Sequence, residues 1–312
     1  MEKPFLSIVS PVYKAEKIVD ELVRRVVEEA EKITDRFEFI LVDDAGPDRS
    51  WERIEANCKA DPRIRGIKLS RNFGQHFAIT AGLDFAEGDF VVVMDCDLQD
   101  DPVYLKELVN LGLQGYDIVY TMKEARKHGF VKNMLTNGFN LVFNYLIDNK
   151  NWKSDKNVGS FSLLSRKTVE GFRKYNDYHR HYLMVLRWLG YKSTYLPIEH
   201  RTRFEGRSSY NFSKLMLHAI NGITSQSDKL LRLNVTAGIL ISMLAFLSIL
   251  VIIILYLTQG FLSGWASLIV TILFSTGVLL TSIGITGIYI GKTFEQVKNR
   301  PKYIIDKIVN PT

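Results

Sequence analysis

Along the first 122 residues, short apolar runs alternate with stretches whose apolar positions recur at helical spacing. Phe5–Ser10 (FLSIVS) predicts a strand, and Glu16–Ile33 carries Ile18, Leu22, Val26 and Ala30 on one helical stripe. Phe37–Val42 predicts a second strand. Asp48 is placed to cap a helix that runs through Lys59 and turns Trp51 and Ile54 inward. Ile64–Leu69 predicts a third strand, Gly74–Phe85 a helix and Phe90–Met94 a fourth strand. The unbroken apolar run of that fourth strand suits a central parallel strand covered on both faces. Pro102 opens another helix, and Ile118–Thr121 is a fifth strand. Strands that alternate with helices imply a doubly wound α/β sheet.

After Met122 the pattern loosens. Phe130–Ile147 and Phe212–Leu231 keep apolar residues at helical spacing with polar ones between. Both read as helices lying on a membrane surface, with ordinary amphipathic packing on the domain as the alternative. Between Arg232 and Lys292 there is no charged residue and no histidine. Two spans, Val235–Leu257 and Trp265–Ile290, flank the break TQGFLSG. Each exceeds the roughly 20 residues that cross a bilayer as a helix. Lys229 and Arg232 precede the pair, and Lys292, Lys298, Arg300, Lys302 and Lys307 follow it. The positive-inside rule then puts both flanks in the cytoplasm. The expected organisation is a cytoplasmic catalytic domain over 1–210, a juxtamembrane helix region over 211–232, a transmembrane hairpin over 233–291 and a cytoplasmic tail over 292–312.

The 312 residues carry a net charge of +6, and 46% are hydrophobic, ample for a core. Much of the basic excess sits beside the apolar spans, which disfavours nucleic acid as a partner. Cys58 and Cys96 have no metal-site spacing and suggest a reducing compartment. MEKPFLSIVSPVY reads as a first strand and not as a signal peptide.

Carboxylates crowd two of the strand ends. Asp43 and Asp44 follow the second strand, and Asp95, Asp97, Asp100 and Asp101 follow the fourth. In open α/β sheets, ligands bind beyond the carboxyl ends of the strands. Massed carboxylates repel unless a cation or hydrogen-bond donor sits among them, and a hard divalent cation would also hold a diphosphate. Asp-x-Asp alone is common in surface turns. An EF-hand loop starting at Asp95 fails, because Asp100 and Lys106 stand where Gly and Glu are needed. Neither a G-x-G-x-x-G turn after the first strand nor a P-loop is present.

The segments SPVYKAE (Ser10–Glu16), VDDAGPDRS (Val42–Ser50), KLSRNFGQHFAITAGLDFAEGDFVVVMDCDLQDDP (Lys68–Pro102) and the paired spans resemble the family 2 glycosyltransferases with a GT-A (Rossmann-like) fold. More narrowly they resemble the polyprenyl-phosphate glycosyltransferases, both dolichol-phosphate mannose synthase-like enzymes and the bacterial membrane type that glucosylates undecaprenyl phosphate. GIYIGKTFEQVKNRPKYII, Gly287–Ile305, matches the bacterial subgroup. The resemblance implies a UDP-sugar donor, a polyprenyl phosphate acceptor, Mg²⁺ or Mn²⁺, inversion at the anomeric carbon and an integral cytoplasmic-membrane protein. It implies that Pro11, Tyr13 and Glu16 line the base and ribose pocket and that Asp43 bonds the uracil edge. Asp95 would face the ribose or diphosphate, while Asp97 and Gln99 would hold the metal. Arg71 would reach a phosphate. A packing role for Tyr13, a solvated one for Arg71 and a packed or capping one for His76 are the alternatives.

On the acceptor side, Lys123, Arg126, Lys127 and Lys132 suit a lipid phosphate or lipid headgroups. RTRFEGRSSYNFSKL, Arg201–Leu215, matches the family's R-x-x-G-x-S-x-Y-x-x-x-K-L segment, so Arg203 or Arg207 would close over the diphosphate. One departure stands out. Ser160 and Ser162 occupy positions where many relatives carry an acidic residue and an Arg. A general base is dispensable, because a phosphomonoester with a second pKa near ~6 is already largely a dianion at neutral pH. The rival readings are a processive polysaccharide synthase, a non-catalytic nucleotide-sugar scaffold, and mannose or aminosugar transfer to the same lipid. Against the first, Met184 stands where Q-x-x-R-W needs its Gln. Gly284, Gly287 and Gly291 would let spans pack closely, within the hairpin or in a homo-oligomer.

Overall fold

A computed structural model describes residues 3–123, 158–178, 180–199, 229–259 and 264–311. The chain divides into two compact units, one of residues 1–129, 154–209 and 301–312, the other of residues 130–153 and 210–300.

The first unit begins with the expected alternation. Its elements are β1 (Leu6–Val12), α1 (Val19–Glu31), β2 (Phe37–Asp43), α2 (Ser50–Ala60), β3 (Ile64–Leu69), α3 (Gln75–Phe85) and β4 (Phe90–Val93). A 3₁₀ turn, Pro102–Tyr104, leads into α4 (Leu105–Leu113), and β5 spans Ile118–Lys123. Further elements follow that the sequence pattern did not announce: β6 (Val158–Ser165), α5 (Arg166–Lys174), α6 (Tyr182–Leu189) and β7 (Ser193–Ile198). The strands belong to one eight-stranded sheet, ordered β7-β5-β6-β4-β1-β2-β3 and closed at its far edge by β8 (Ile305–Val309). β1 to β4 are parallel neighbours, as expected. β6 runs antiparallel to both β4 and β5, and β8 antiparallel to β3, so the sheet is mixed.

Apolar residues fill both faces of the central strands. Leu6, Ile8, Phe39 and Leu41 pack under α1, α2 and α4, with Leu22, Trp51 and Leu105. Val9, Ile40, Val42 and Val91 pack under α3, α5 and α6, with Ile79, Phe172 and Val185. Helix α3 lies directly on β1, because Gly82 carries no Cβ; one placed there would collide with Val9 Cγ1.

Two expectations change here. Asp48 does not cap α2. Its carboxylate accepts the Ser50 hydroxyl at 2.8 Å and the backbone N–H of Glu16 at 3.1 Å, so it ties the β2–α2 loop to the β1–α1 loop. The end of the tail is part of the first unit's sheet. β8 pairs with β3, and the Asn310 amide donates to the Cys58 and Ile64 carbonyls at 2.7 and 2.8 Å. A buried ion pair reaches the same place: Arg65 binds Glu38 at 2.5 Å and donates to the Asn310 carbonyl at 3.2 Å. Glu38 also accepts the Ser7 hydroxyl at 2.6 Å and the Glu87 N–H at 2.7 Å, which compensates much of its desolvation.

In the second unit, α7 (Lys229–Gln259) and α8 (Trp265–Val297) each contain a stretch long and apolar enough to cross a bilayer, of 24 and 31 residues. The Asn234 amide donates to the Ser282 hydroxyl at 2.9 Å and joins them.

Gly82→Ala is expected to cost about 1–3 kcal/mol, because a methyl group must displace α3 from β1. Thermal unfolding of the purified variant beside the wild type reads this directly; an unchanged Tm would contradict the contact.

Candidate active site

Three adjacent parallel strands bring their carboxyl ends to one rim. Val12 of β1 sits beside Asp43 of β2, and Val9 of β1 beside Val93 of β4. Each strand therefore leaves the sheet at a similar height, and the residues that follow face one another across a cavity of about 290 Å³. The end of β1 and the residue after it contribute Pro11, Val12 and Tyr13 to its wall, and the segment after β4 contributes Asp95, Cys96 and Asp97. Asp44 and the loop before α3, through Asn72, Gly74 and Gln75, complete it.

Asp44 organises that loop. Its two carboxylate oxygens accept the backbone N–H groups of Phe73 at 2.7 Å and Gly74 at 2.9 Å. Gly74 has φ +100°, a conformation that glycine adopts at little cost, and α3 starts at the next residue. The Gln75 amide then donates to Asp95 Oδ1 at 2.7 Å. Asp97 Oδ1 accepts the backbone N–H of Gln99 at 3.1 Å across a tight turn. Backbone strain follows the same residues: Lys14, Ala45 and Leu98 have φ of 56°, 50° and 56°, each just after a wall residue, Tyr13, Asp44 or Asp97. Such conformations cost roughly 1–3 kcal/mol each and gather at functional sites.

Asp43 lies just below the wall, 1% exposed, accepting the Gly46 N–H at 3.4 Å. Burial pushes its carboxyl up to about 6, with Gly46 and Lys68 opposing. Burial also raises Asp44, although the Phe73 and Gly74 N–H groups pull the other way. The Cys96 thiol is pushed up to about 12 by burial and then by Asp95, so it stays protonated and is no nucleophile.

Of the residues expected at the site, Pro11, Tyr13, Asp95 and Asp97 share the cavity wall. Glu16 and Gln99 stand off it: the Glu16 carboxylate accepts the Arg49 N–H at 3.1 Å and braces the neighbouring loop. Arg71 is exposed, its guanidinium 4.1 Å from the Phe73 ring, close enough to Asp44 to oppose the rise in that residue's pKa. Lys123 ends β5. Arg126, Lys127, Lys132, Arg203 and Arg207 lie outside the described residues. Ser162 is committed to the fold, its hydroxyl 2.8 Å from the Tyr182 hydroxyl. His76 packs against His181. Asp44 and Gln75 are the site residues that sequence reasoning missed. The Asp43–Asp44 pair was visible, but Asp44's partners lie 29 and 30 residues away.

Among the described residues, no three His, Cys, Asp or Glu side chains converge as a metal-binding group. The rim supplies carboxylates and an amide, all oxygen donors. This set suits a hard cation that takes its other ligands from diphosphate and water, and does not suit a closed structural metal site.

Residues 7–172 match the family model described as glycosyl transferase family 2. The chain is 34% identical to an SfII prophage-derived bactoprenol glucosyl transferase of Shigella flexneri, over 97% of each chain. It is 34% identical to an uncharacterized glycosyltransferase of Bacillus subtilis, over 96% of this chain and 93% of the other. It is 30% identical to the undecaprenyl-phosphate 4-deoxy-4-formamido-L-arabinose transferase of Edwardsiella ictaluri, over 98% and 94%. Among solved structures, the glucosyl-3-phosphoglycerate synthase of Mycobacterium tuberculosis in complex with Mn²⁺, UDP and phosphoglyceric acid superposes with a TM-score of 0.52. The alignment has 15% identity and covers 72% of this chain and 77% of that one, a likeness of GT-A fold.

Two outcomes are expected. Asp44→Asn replaces one of two acceptors by a donor facing a backbone N–H, and costs about 1–3 kcal/mol, read as a lowered Tm. Asp43 has a folded-state pKa of about 6 against an ordinary 3.8. Its favourable contribution is thus complete below about pH 3.8 and is lost as pH rises through about 6. Asp43→Asn should therefore raise Tm at neutral pH, with a gain that shrinks toward pH 4; a loss of Tm at neutral pH would refute the burial argument.

Proposed function

The chain belongs to glycosyl transferase family 2, and we propose that it transfers a hexose, glucose foremost, from a UDP-sugar to a polyprenyl phosphate at the cytoplasmic face of a membrane. One observation carries the reading: Asp95 and Asp97 stand on the wall of a cavity that Pro11, Tyr13 and Asp44 also line. A nucleoside fits over β1 and β2, with its diphosphate reaching the carboxylates that follow β4. The Shigella relative, named for bactoprenol glucosyl transfer, aligns along nearly its whole length, including both apolar helices.

In this reading the uracil N3–H is accepted by Asp43, with Pro11 and Tyr13 against base and ribose and Glu16 bracing the loop. Asp95, held by Gln75, meets the ribose or diphosphate. Asp97, with Gln99 beside it, would hold Mg²⁺ or Mn²⁺, which when bound neutralises charge on the departing diphosphate. Arg71, Arg203 and Arg207 supply positive charge toward the phosphates. Lys123, Arg126, Lys127 and Lys132 face the anionic lipid acceptor.

The acceptor oxygen needs orientation more than proton removal, so Ser160 and Ser162 in place of charged groups are compatible with turnover. Attack from the face opposite the diphosphate inverts the anomeric carbon. Helices α7 and α8 form the membrane hairpin, with residues 1–230 and the tail on the cytoplasmic side, where the flanking Lys and Arg belong. The tail's return to β3 is consistent with that arrangement, since β8 and the catalytic sheet must share one side.

The Edwardsiella relative's name favours a second donor class, a 4-amino-4-deoxy pentose derivative. Purified full-length protein in detergent, given Mg²⁺, undecaprenyl phosphate and radiolabelled UDP- and GDP-sugars, distinguishes the donors. Label is expected to enter the lipid phase from UDP-glucose, to be lost with EDTA, and to fall at least about a hundredfold in Asp97→Ala with folding intact. Absence of transfer from every donor would overturn the reading. Because an ionised Asp43 accepts the uracil N3–H more strongly than a protonated one, UDP affinity is expected to weaken as pH falls below about 6. Calorimetry across that range, with Asp43→Asn as the flat control, checks it.

A further inference from the structure

We infer that the C-terminal tail is a strap that positions one wall of the cavity, an inference that rests on the reading of that cavity as the UDP-sugar site. Asn72, Gly74 and Gln75 of that wall belong to the connection from β3 into α3. Asp44 fastens the exit of the connecting loop through Phe73 and Gly74. Its entry is fastened by the tail, at the point where β3 ends.

β8 runs antiparallel to β3, with Val309 beside Gly66, Ile308 beside Ile67 and Lys307 beside Lys68. The pairing then shifts, so that Ile305 stands beside Leu69 and Asp306 has no residue opposite. Such a shift re-aims the strand. Ile304 then offers its carbonyl to the Ser70 N–H at 2.9 Å, just beyond the end of β3. Tyr303 donates its hydroxyl to Asp84 at 2.9 Å, one residue before the end of α3. The tail therefore holds both flanks of residues 70–84, the segment that carries the wall and, through Gln75, the bond to Asp95. Tyr303, Ile305 and the loop's Phe73 also pack against one apolar cluster, which contains Leu69, Ile79 and Leu83.

The strap is lightly built. Ile304, Asp306, Lys307 and Ile308 are exposed, and β8 is an edge strand of the sheet. Beyond the ladder it is secured by Tyr303 at Asp84, Lys302 at the Tyr175 carbonyl and Asn310 at the Cys58 and Ile64 carbonyls. Segments with little buried apolar surface open at lower free energy than a core. Opening the tail removes the acceptor of the Ser70 N–H and the hydroxyl that Asp84 accepts, and so loosens both flanks of the wall. A ligand that needs the wall in place favours the attached tail, and the attached tail favours the ligand by the same factor. Tyr303 and Asn310 do not line the cavity, so they are positioning residues that act on the donor through the loop.

The test uses full-length protein in detergent: wild type, Tyr303→Phe, Asn310→Ala, the double variant and, as control, Lys307→Ala at an exposed β8 position. UDP binding with Mg²⁺ present is measured by calorimetry well below the Tm of each protein, and backbone hydrogen exchange is followed with and without UDP. The double variant is expected to bind UDP roughly tenfold more weakly, the single variants to fall between it and wild type, and the control to match wild type. Exchange at Phe73 and Gly74, whose N–H groups bond to Asp44 and not to the tail, should quicken in the double variant. UDP should slow exchange at Ser70 in wild type. If the double variant does not fold, the single variants carry the same comparison. Equal UDP affinity in wild type and tail variants, whatever their Tm, makes the tail a purely structural element and overturns the inference. If wild type binds no UDP, the donor reading falls and exchange at Phe73 and Gly74 decides the strap: quickened exchange in the variants upholds it, and unchanged exchange overturns it.

Discussion

The paired hydrogen bonds from the Phe73 and Gly74 backbone to Asp44 are the contact on which the site depends. They fasten the end of β2 to the loop entering α3. They act together with the Gly74 carbonyl, which accepts the Phe77 and Ala78 N–H groups at 3.0 and 3.1 Å, to fix the first turn of α3. Gln75 reaches Asp95 and His76 reaches His181 because that turn is held. A carboxylate is suited to the task, since it can accept two N–H groups at once and its charge strengthens both. Burial raises the cost of that charge, and the two bonds offset part of it.

The other end of α3 is held as firmly. Arg173 donates to the carbonyls of Leu83, Asp84 and Ala86, and Arg166 to those of Ala86 and Gly88. Two cations thus satisfy the carbonyls left at the helix C-terminus, where they also complement the macrodipole. The tail adds to this anchorage: Tyr303 donates to Asp84 at 2.9 Å, and Lys302 to the Tyr175 carbonyl at 3.3 Å. The segment that follows the last apolar helix therefore packs against the same helix that shapes the cavity. Arg65, Glu38 and Asn310 fix the tail's far end.

Rigidity at the rim has a chemical purpose. Carboxylates placed at adjacent strand ends repel, and each can be kept only by specific donors or by a ligand that supplies positive charge. Asp44 takes backbone donors, Asp95 an amide and Asp97 a turn N–H. The strained backbone at Lys14, Ala45 and Leu98 is where the chain bends to present these groups.

Much of this protein was written in its local pattern. β3 coincides with the apolar run that predicted it, and the first helices and strands begin within a few residues of their expected bounds. The uncharged block predicted α7 and α8, because crossing a bilayer leaves so few compositions open. The position of Asp95 and Asp97 on the cavity wall was legible, because both directly follow a parallel strand. Other features depended on partners far along the chain. β6, β7 and β8 are short, and their places follow from which open edge they meet, so the mixed sheet and the returning tail were not foreseen. Asp48 was misread as a cap because its donors include Glu16, 32 residues distant. The roles of Asp44 and Gln75 and the meeting of His76 with His181 rest on contacts spanning 20 to 106 residues. Local periodicity determined which elements form and which face is buried; only tertiary packing decided which side chains meet, because that depends on distances between elements that no single segment encodes.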